Sequence, residues 1–155
     1  MSIVSKSWKA IVNLLEDVST LPVTSAHCDI PCGVYEPDTM FWAAETVLKM
    51  HEKLSALEPP AAGDAAGKVA YDQTVSRMTA VKEEYAQKCK KELLILWTDY
   101  FKPEHFAKYS DLTDKILKAT KQCSTVKRGI DVAAAESLKA MVTDIGNIFR
   151  ATKAA

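Results

Sequence analysis

Residues 68–100 read KVAYDQTVSRMTAVKEEYAQKCKKELLILWTDY. Such spacing of apolar and charged residues predicts one α-helix, with a length of about 45–50 Å at a rise of 1.5 Å per residue. Its end, 93–97, is apolar all round, so we expect burial there on several sides, to which other subunits could contribute. The residues predicted to line one face recur at steps of three and four: Val75, Met78, Val81, Tyr85, Cys89, Leu93 and Leu96.

Three further segments carry the same helical spacing. One begins near Asp38, its predicted N-cap, and ends before Pro59. Another begins at Ser110, a second predicted N-cap, and ends at Gly129, and the last occupies the C-terminal part of the chain. Their predicted core positions are Met40, Ala44, Val47, His51, Leu54, Leu57, Leu112, Ile116, Ala119, Cys123, Ala134, Leu138, Met141, Ile145 and Phe149.

These four helices define the predicted fold class. Sustained alternation of apolar and polar residues, the pattern of strands, is missing from the sequence. Four amphipathic helices with short connections bury their apolar faces best as an antiparallel bundle. We therefore predict an all-α protein, with an antiparallel four-helix bundle in residues 27–155 that begins with a loop, 27–35, and follows a leader helix, 1–26.

Composition limits the partners of the chain. It has 155 residues, 48% of them hydrophobic and 26% charged, with 20 acidic and 20 basic side chains. A protein of zero formal net charge has no overall field to attract nucleic acid or an anionic membrane. No apolar run approaches the roughly 18 residues of a membrane span. We expect neither nucleic acid nor a membrane as a partner.

The cysteines indicate a reducing compartment. Four cysteines are few for a disulfide-stabilised chain of this length, and Cys89 and Cys123 lie within helical patterns. We predict that these two thiols are reduced and buried as small hydrophobic side chains. The predicted location is therefore the cytoplasm.

Segment 1–26 differs from the rest of the chain. Its amphipathic first part carries acidic residues, which argue against a secretory signal and an organelle transit peptide. It ends in small residues, 23–26, that suit extended binding to a protease. We interpret 1–26 as a removable leader, and a helix packed on the domain is the alternative.

The loop 27–35, HCDIPCGVY, concentrates metal donors. His27 and Cys28 are adjacent, and Cys32 follows after three residues. Pro31 restricts the backbone and Gly33 frees it, so the two sulfurs can converge. Thiolates with an imidazole favour zinc, copper(I), iron–sulfur clusters or nickel.

The number of donors helps to choose among these possibilities. Structural zinc sites usually take four ligands from two separated pairs, and this loop offers one cluster. A Cys28–Cys32 disulfide is the other simple interpretation. A cut before His27 would instead create an α-amine, which could form a square plane with the Cys28 amide nitrogen and both thiolates. Square-planar nitrogen and sulfur donors favour nickel(II) or copper(II), and the His27 imidazole would be axial.

The loop resembles the nickel hook that opens mature nickel superoxide dismutases. A second stretch, 97–106 (WTDYFKPEHF), also resembles that family, as do the helical layout and length of residues 27–155. The resemblance implies a four-helix bundle assembled as a homohexamer, with one nickel ion per subunit and a leader removed by a dedicated protease. It also implies disproportionation of superoxide to dioxygen and hydrogen peroxide by cycling between Ni(II) and Ni(III).

The resemblance also assigns roles to individual residues. The implied metal ligands are His27, Cys28 and Cys32. The implied catalytic residues stand around the open face of the metal, deliver or hold protons, or attract the anion: Tyr35, Asp29, Tyr100 and Lys102.

One departure from the family concerns the axial imidazole. Some members orient it with a glutamate paired to an arginine, and the corresponding positions here hold Ala43 and Tyr85. Tyr85 and Glu45 are the candidates to replace that pair, which would tune the metal site. The alternative function is a helical metallochaperone or metal-storage protein whose Cys28 and Cys32 bind a soft ion without turnover.

Overall fold

The computed structural model describes residues 35–153, so the predicted leader and all of the loop except Tyr35 lie outside the described residues. The helices are α1 (Asp38–Ser55), α2 (Ala65–Ile95), a π-helical turn (Leu96–Tyr100), α3 (Pro103–Lys108), α4 (Leu112–Arg128) and α5 (Val132–Lys153). The all-α prediction is confirmed, and the described part of the chain contains no strand. Within the same range, no helix combines the length and hydropathy needed to cross a bilayer.

The four long helices form a closed ring of neighbours. α1 packs on α2, α2 on α4, α4 on α5, and α5 returns to α1. Side chains between α2 and α4 show the direction of packing: Lys82 reaches Gly129, whereas Lys90 reaches Ser124. Position numbers rise on one helix as they fall on the other, so this pair is antiparallel.

The pair that closes the ring has the same direction. Asp38 at the start of α1 pairs with Arg150 near the end of α5. Glu45, two turns further along α1, pairs with Lys139, three turns before Arg150 on α5. The connections from α1 to α2 and from α4 to α5 are short, so this gives an up-down-up-down bundle. The predicted antiparallel four-helix bundle is confirmed.

The buried face of α2 differs from the predicted one. Its fully buried residues are Lys82, Ala86, Cys89 and Leu93, whereas the predicted positions from Val75 to Tyr85 are only half-buried. The physical reason is the length of α2: Lys82 already meets the end of α4, so the N-terminal half of α2 extends beyond that helix. An apolar stripe identifies a helix face but not the length of it that a neighbour covers.

The predicted burial of 93–97 on several sides is incomplete in the single chain. Leu93 and Leu96 are fully buried and Trp97 is half-buried. Leu94, however, remains 37% exposed. One side of this segment therefore faces away from the core of its own chain.

The predicted single helix to Tyr100 is also corrected. The backbone widens at Leu96 into a π-helical turn, which closes with a 2.9 Å bond from the Phe101 N–H to the Leu96 carbonyl. Pro103 then begins the short helix α3, which the sequence analysis did not predict. Proline suits this position because the first N–H groups of a helix lack intrahelical acceptors.

Two predicted helix caps are wrong by one or two residues. Asp38 is the first residue of α1, after Pro37, and makes no capping bond. Ser110 lies two residues before α4, and Asp111 precedes that helix without a capping bond of its own. Asp38 instead places its carboxylate in the first turn, where the helix dipole favours a negative charge. α1 also ends at Ser55, before the predicted core position Leu57.

Candidate active site

Tyr35 lies at the end of the bundle where the chain enters α1. Its half-buried ring stands edge-on to Phe149 of α5, with 5.5 Å between ring centroids. Its hydroxyl donates a hydrogen bond to Glu92 Oε2 of α2 over 2.9 Å. Tyr35 is therefore held between the C-terminal ends of two helices that are distant from it in sequence.

This environment keeps the Tyr35 phenol protonated. Burial is the largest cause, followed by the negative charge and hydrogen bond of Glu92, and together they raise the pKa of Tyr35 well above its ordinary value of 10.0. The phenol therefore carries its proton throughout the physiological range and points it at Glu92.

The end of α5 also holds the backbone beside Tyr35. Lys153 Nζ donates to the Tyr35 carbonyl over 3.0 Å and to Glu36 Oε1 over 2.6 Å. Arg150 Nη2 lies 3.4 Å from Asp38 Oδ1. Each of these exposed contacts is individually weak, but together they connect the C-terminal turn of α5 to the segment that leads out of the bundle.

Tyr100 belongs to the same cluster as Tyr35. Its ring lies 4.4 Å from the Phe149 ring and stacks on His105 at 5.7 Å, measured between centroids. Its hydroxyl is 3.1 Å from Thr152 Oγ1. The π-helical turn ends at Tyr100 and so determines the position of the Tyr100 Cα, from which the side chain extends. Phe149 therefore brings the two predicted catalytic tyrosines together.

Lys102 lies two residues after Tyr100. Its side chain is exposed, and its backbone N–H donates to His105 Nδ1 over 3.2 Å at the start of α3. The structure thus places Tyr35, Tyr100 and Lys102 near one end of the bundle, and their catalytic roles stay a prediction. Asp29, the fourth predicted catalytic residue, lies outside the described residues.

The predicted metal ligands His27, Cys28 and Cys32 also lie outside the described residues. Within 35–153, no three His, Cys, Asp or Glu side chains come close enough together to hold a metal ion. The ligand assignment therefore stays a prediction based on the chemistry of these three donors.

The candidates for orienting the axial imidazole have other contacts. Ala43 is buried in the core, where a methyl group fits between helices. Glu45 forms an ion pair with Lys139 at 2.6 Å. Tyr85 is half-buried, with Lys88 Nζ 5.4 Å from its ring centroid. Tyr85 and Glu45 stay untested predictions as partners of the imidazole.

The two core cysteines match their prediction. Cys89 and Cys123 are free thiols, and both are fully buried where α2 packs on α4. Contact with Cys123 and then burial raise the pKa of the Cys89 thiol far above its ordinary value. Since the thiolate is the reactive form, Cys89 is chemically quiet despite its place one helical turn before Glu92.

The residues that hold Tyr35 could not be identified from the sequence. Phe149 was predicted, but only as a core residue, and neither Glu92 nor Lys153 was singled out. The available signal for Glu92 was its place between the apolar positions Cys89 and Leu93, at the edge of the buried face. Charged neighbours on α2 share comparable places, so spacing alone could not select it.

Comparison with known proteins identifies relatives of the whole bundle. A family model described as nickel-containing superoxide dismutase matches residues 22–153. The superoxide dismutase [Ni] of Streptomyces coelicolor is 37% identical over 131 residues, which is 84% of this chain and 91% of that protein. The superoxide dismutase [Ni] of Streptomyces seoulensis has the same identity and coverage.

Solved structures agree with these relatives. A crystal structure of a Ni-containing superoxide dismutase, with the ligation of the oxidized state, superposes with a TM-score of 0.69 at 35% identity. The match covers 83% of this chain and 100% of that one. An apo structure of a nickel superoxide dismutase gives a TM-score of 0.66 at 32% identity and covers 79% of this chain and 100% of that one.

Proposed function

Because this chain belongs to the nickel-containing superoxide dismutase family, we propose that its catalytic centre forms from His27, Cys28 and Cys32 after the segment 1–26 has been removed. The protein is a nickel-dependent oxidoreductase that converts two superoxide anions and two protons into dioxygen and hydrogen peroxide. The observation that carries the function is the family match over 22–153. This range includes the complete donor loop.

The donors in the loop fit nickel chemically. His27, Cys28 and Cys32 would hold the ion through two thiolates, an imidazole and a main-chain amine and amide, which are soft or strongly donating ligands of the kind that suit nickel. When bound, one nickel per subunit supplies a one-electron couple between Ni(II) and Ni(III). The residues of this chain hold that metal, orient the substrate and manage protons.

Removal of the leader follows from the donor count. While Ala26 is joined to His27, the nitrogen of His27 is a peptide nitrogen and a poor ligand. Cutting that bond turns the same atom into an amine beside the Cys28 amide. We place the domain boundary there, with 1–26 as the leader and 27–155 as the enzyme, and the family match begins only five residues before this bond, at residue 22.

Residues at the adjoining end of the bundle support the reaction. Cys32 is three residues from Tyr35, so its Cα lies within about 11 Å of the Tyr35 Cα along the chain. Tyr35 ends this loop and packs with Tyr100 around Phe149, and Asp29 belongs to the loop itself. The exposed ammonium of Lys102 attracts the superoxide anion toward a protein of zero formal net charge.

The assembled state is part of the same proposal. We expect a homohexamer, and the side chains of Trp42, 69% exposed, and Leu94 offer apolar surface that a subunit contact would cover. A dedicated protease removes the leader, and the small residues 23–26 suit its binding cleft. The free thiols Cys89 and Cys123 support a cytoplasmic location.

The proposal is tested with two chains, one beginning at Met1 and one beginning at His27. Each is supplied with nickel(II), and nickel content, intact mass and the rate of superoxide decay are measured. We expect one nickel per chain and rapid decay only for the chain that begins at His27. Equal activity of the chain that keeps residues 1–26 would contradict the role of the cut. Nickel binding by the shorter chain without turnover would contradict the catalytic function.

A further inference from the structure

We propose that Glu92 is a positioning residue for the dismutase reaction: its carboxylate accepts the hydrogen bond that the Tyr35 hydroxyl donates and so determines which side of the phenol oxygen faces the substrate. The inference rests on the proposed role of Tyr35 at the nickel loop. Glu92 lies on α2, 57 positions after Tyr35 in the sequence.

The contacts of Tyr35 fix its ring and leave its hydroxyl to Glu92. Lys153 holds the Tyr35 carbonyl, and Phe149 packs edge-on against the ring. Neither contact sets the direction of the O–H bond. The 2.9 Å hydrogen bond to Glu92 Oε2 does, because a charged acceptor outweighs neutral ones.

The surroundings of Glu92 indicate that this bond is its main role. Three lysines, Lys88, Lys90 and Lys91, lie within four positions of it on α2. Yet among residues 35–153, no cation lies within ion-pair distance of the Glu92 carboxylate, and its one side-chain hydrogen bond goes to Tyr35. The half-buried carboxylate thus faces a phenol in preference to nearby ammonium groups.

This orientation has a chemical consequence. A phenol has a single hydroxyl proton, and the Tyr35 hydroxyl directs this proton into the bundle toward Glu92. The lone pairs of the Tyr35 oxygen then point elsewhere, so the phenol can accept a hydrogen bond from a protonated reduction product. It cannot donate to an approaching superoxide anion without first breaking the bond to Glu92.

The hydrogen bond is tested directly by NMR at neutral pH on the full chain with 13Cζ-labelled tyrosine. The Tyr35 resonance is assigned by its loss in Tyr35→Phe. We expect it to shift in Glu92→Leu, to shift less in Glu92→Gln, whose amide oxygen can still accept, and to stay in place in Glu84→Leu. Glu84 is an exposed carboxylate on the same helix and serves as the matched control. An unchanged Tyr35 resonance in Glu92→Leu would overturn the proposal.

Activity of the nickel-loaded chain beginning at His27 tests the catalytic consequence. We expect Glu92→Leu to lower kcat/KM about fivefold, since a misdirected group loses part of its effect. If Glu92 acts through Tyr35, the Tyr35→Phe, Glu92→Leu double variant should be no slower than Tyr35→Phe alone. Additive losses would overturn the positioning role.

The outcomes separate this inference from the proposed function. An inactive nickel-loaded wild type would overturn the proposed function itself. An active wild type with an unimpaired Tyr35→Phe variant would overturn the role of Tyr35 and, with it, that of Glu92. Impairment of Tyr35→Phe but not of Glu92→Leu would overturn the inference about Glu92 alone.

Discussion

His51 uses both ring nitrogens in the core at the other end of the bundle. Nδ1 accepts a hydrogen bond from the Asp131 N–H over 2.9 Å, so Nε2 carries the proton and donates to the Val126 carbonyl over 3.1 Å. This arrangement needs the neutral imidazole, because a second proton on Nδ1 would remove the acceptor of the Asp131 N–H and leave two donors facing each other. Burial, with the nearby charge of Lys82 as a smaller cause, lowers the pKa of His51 below its ordinary 6.5.

The lowered pKa predicts a loss of stability in mild acid. As the pH falls below 6.5, the unfolded chain binds a proton at His51 before the folded chain does. The contribution is therefore fully present above that pH and is lost as the pH falls toward the folded-state pKa. Urea unfolding at about pH 7.5 and at about pH 5 measures how far the free energy of unfolding falls on acidification. We expect this fall to be smaller in His51→Gln than in the unmodified chain. Equal falls in both proteins would contradict this account.

At the scale of the helices, Lys82 determines how α4 ends. Its side chain is only 3% exposed, and Nζ donates to the Lys127 carbonyl over 3.0 Å and to the Gly129 carbonyl over 2.7 Å. Carbonyls at a helix C-terminus lack intrahelical donors and carry partial negative charge. A buried ammonium from α2 therefore supplies the missing donors and joins the two helices.

Replacing this lysine should weaken the bundle. Lys82→Met keeps the length of the side chain and removes the charge, so two carbonyls lose a charged donor. We expect a loss of about 1–2 kcal/mol in the free energy of unfolding, since removal of the buried ammonium also relieves its desolvation. Lys91→Met, at an exposed position of the same helix, is the control and should change little. Chemical denaturation measures both, and similar losses in the two variants would contradict the capping role.

For the whole molecule, the donor loop and the bundle should be separable. The buried core of the described residues is assembled from α1, α2, the π-helical turn at Leu96, Phe101, α4 and α5. Since packing between the helices supplies this core, we expect the loop to lose its metal donors while the helices keep their packing.

Cysteine substitutions test this separation. We expect Cys28→Ser and Cys32→Ser to abolish nickel binding and superoxide turnover, because hydroxyl groups replace the soft thiolate donors. Helical circular dichroism and the thermal unfolding midpoint should stay close to those of the unmodified chain. Cys123→Ser is the contrasting variant: it places a hydroxyl in the core and should lower the midpoint. Unfolding caused by either loop substitution would show that the loop is part of the scaffold.

The local patterns in the sequence determined the helices and the chemical class. Apolar spacing of three and four residues is a property of neighbouring positions, so it predicted α1, α4 and α5 and most of their core. The donor order His27, Cys28, Cys32 also lies within a few residues. It favoured nickel(II) or copper(II), and the resemblance of the loop to the nickel hook then pointed to nickel. Both signals are local and could be found without knowing which helices are neighbours.

Tertiary structure alone decided which charged residues matter. Glu92, Lys82 and Lys153 resemble many other charges on their helices, and their partners are distant in sequence. The same holds for the π-helical turn that places Tyr100, because nothing in the apolar spacing distinguishes it from α-helix. A hydrogen bond between residues that are distant in sequence forms only where the packing of the bundle brings their helices side by side.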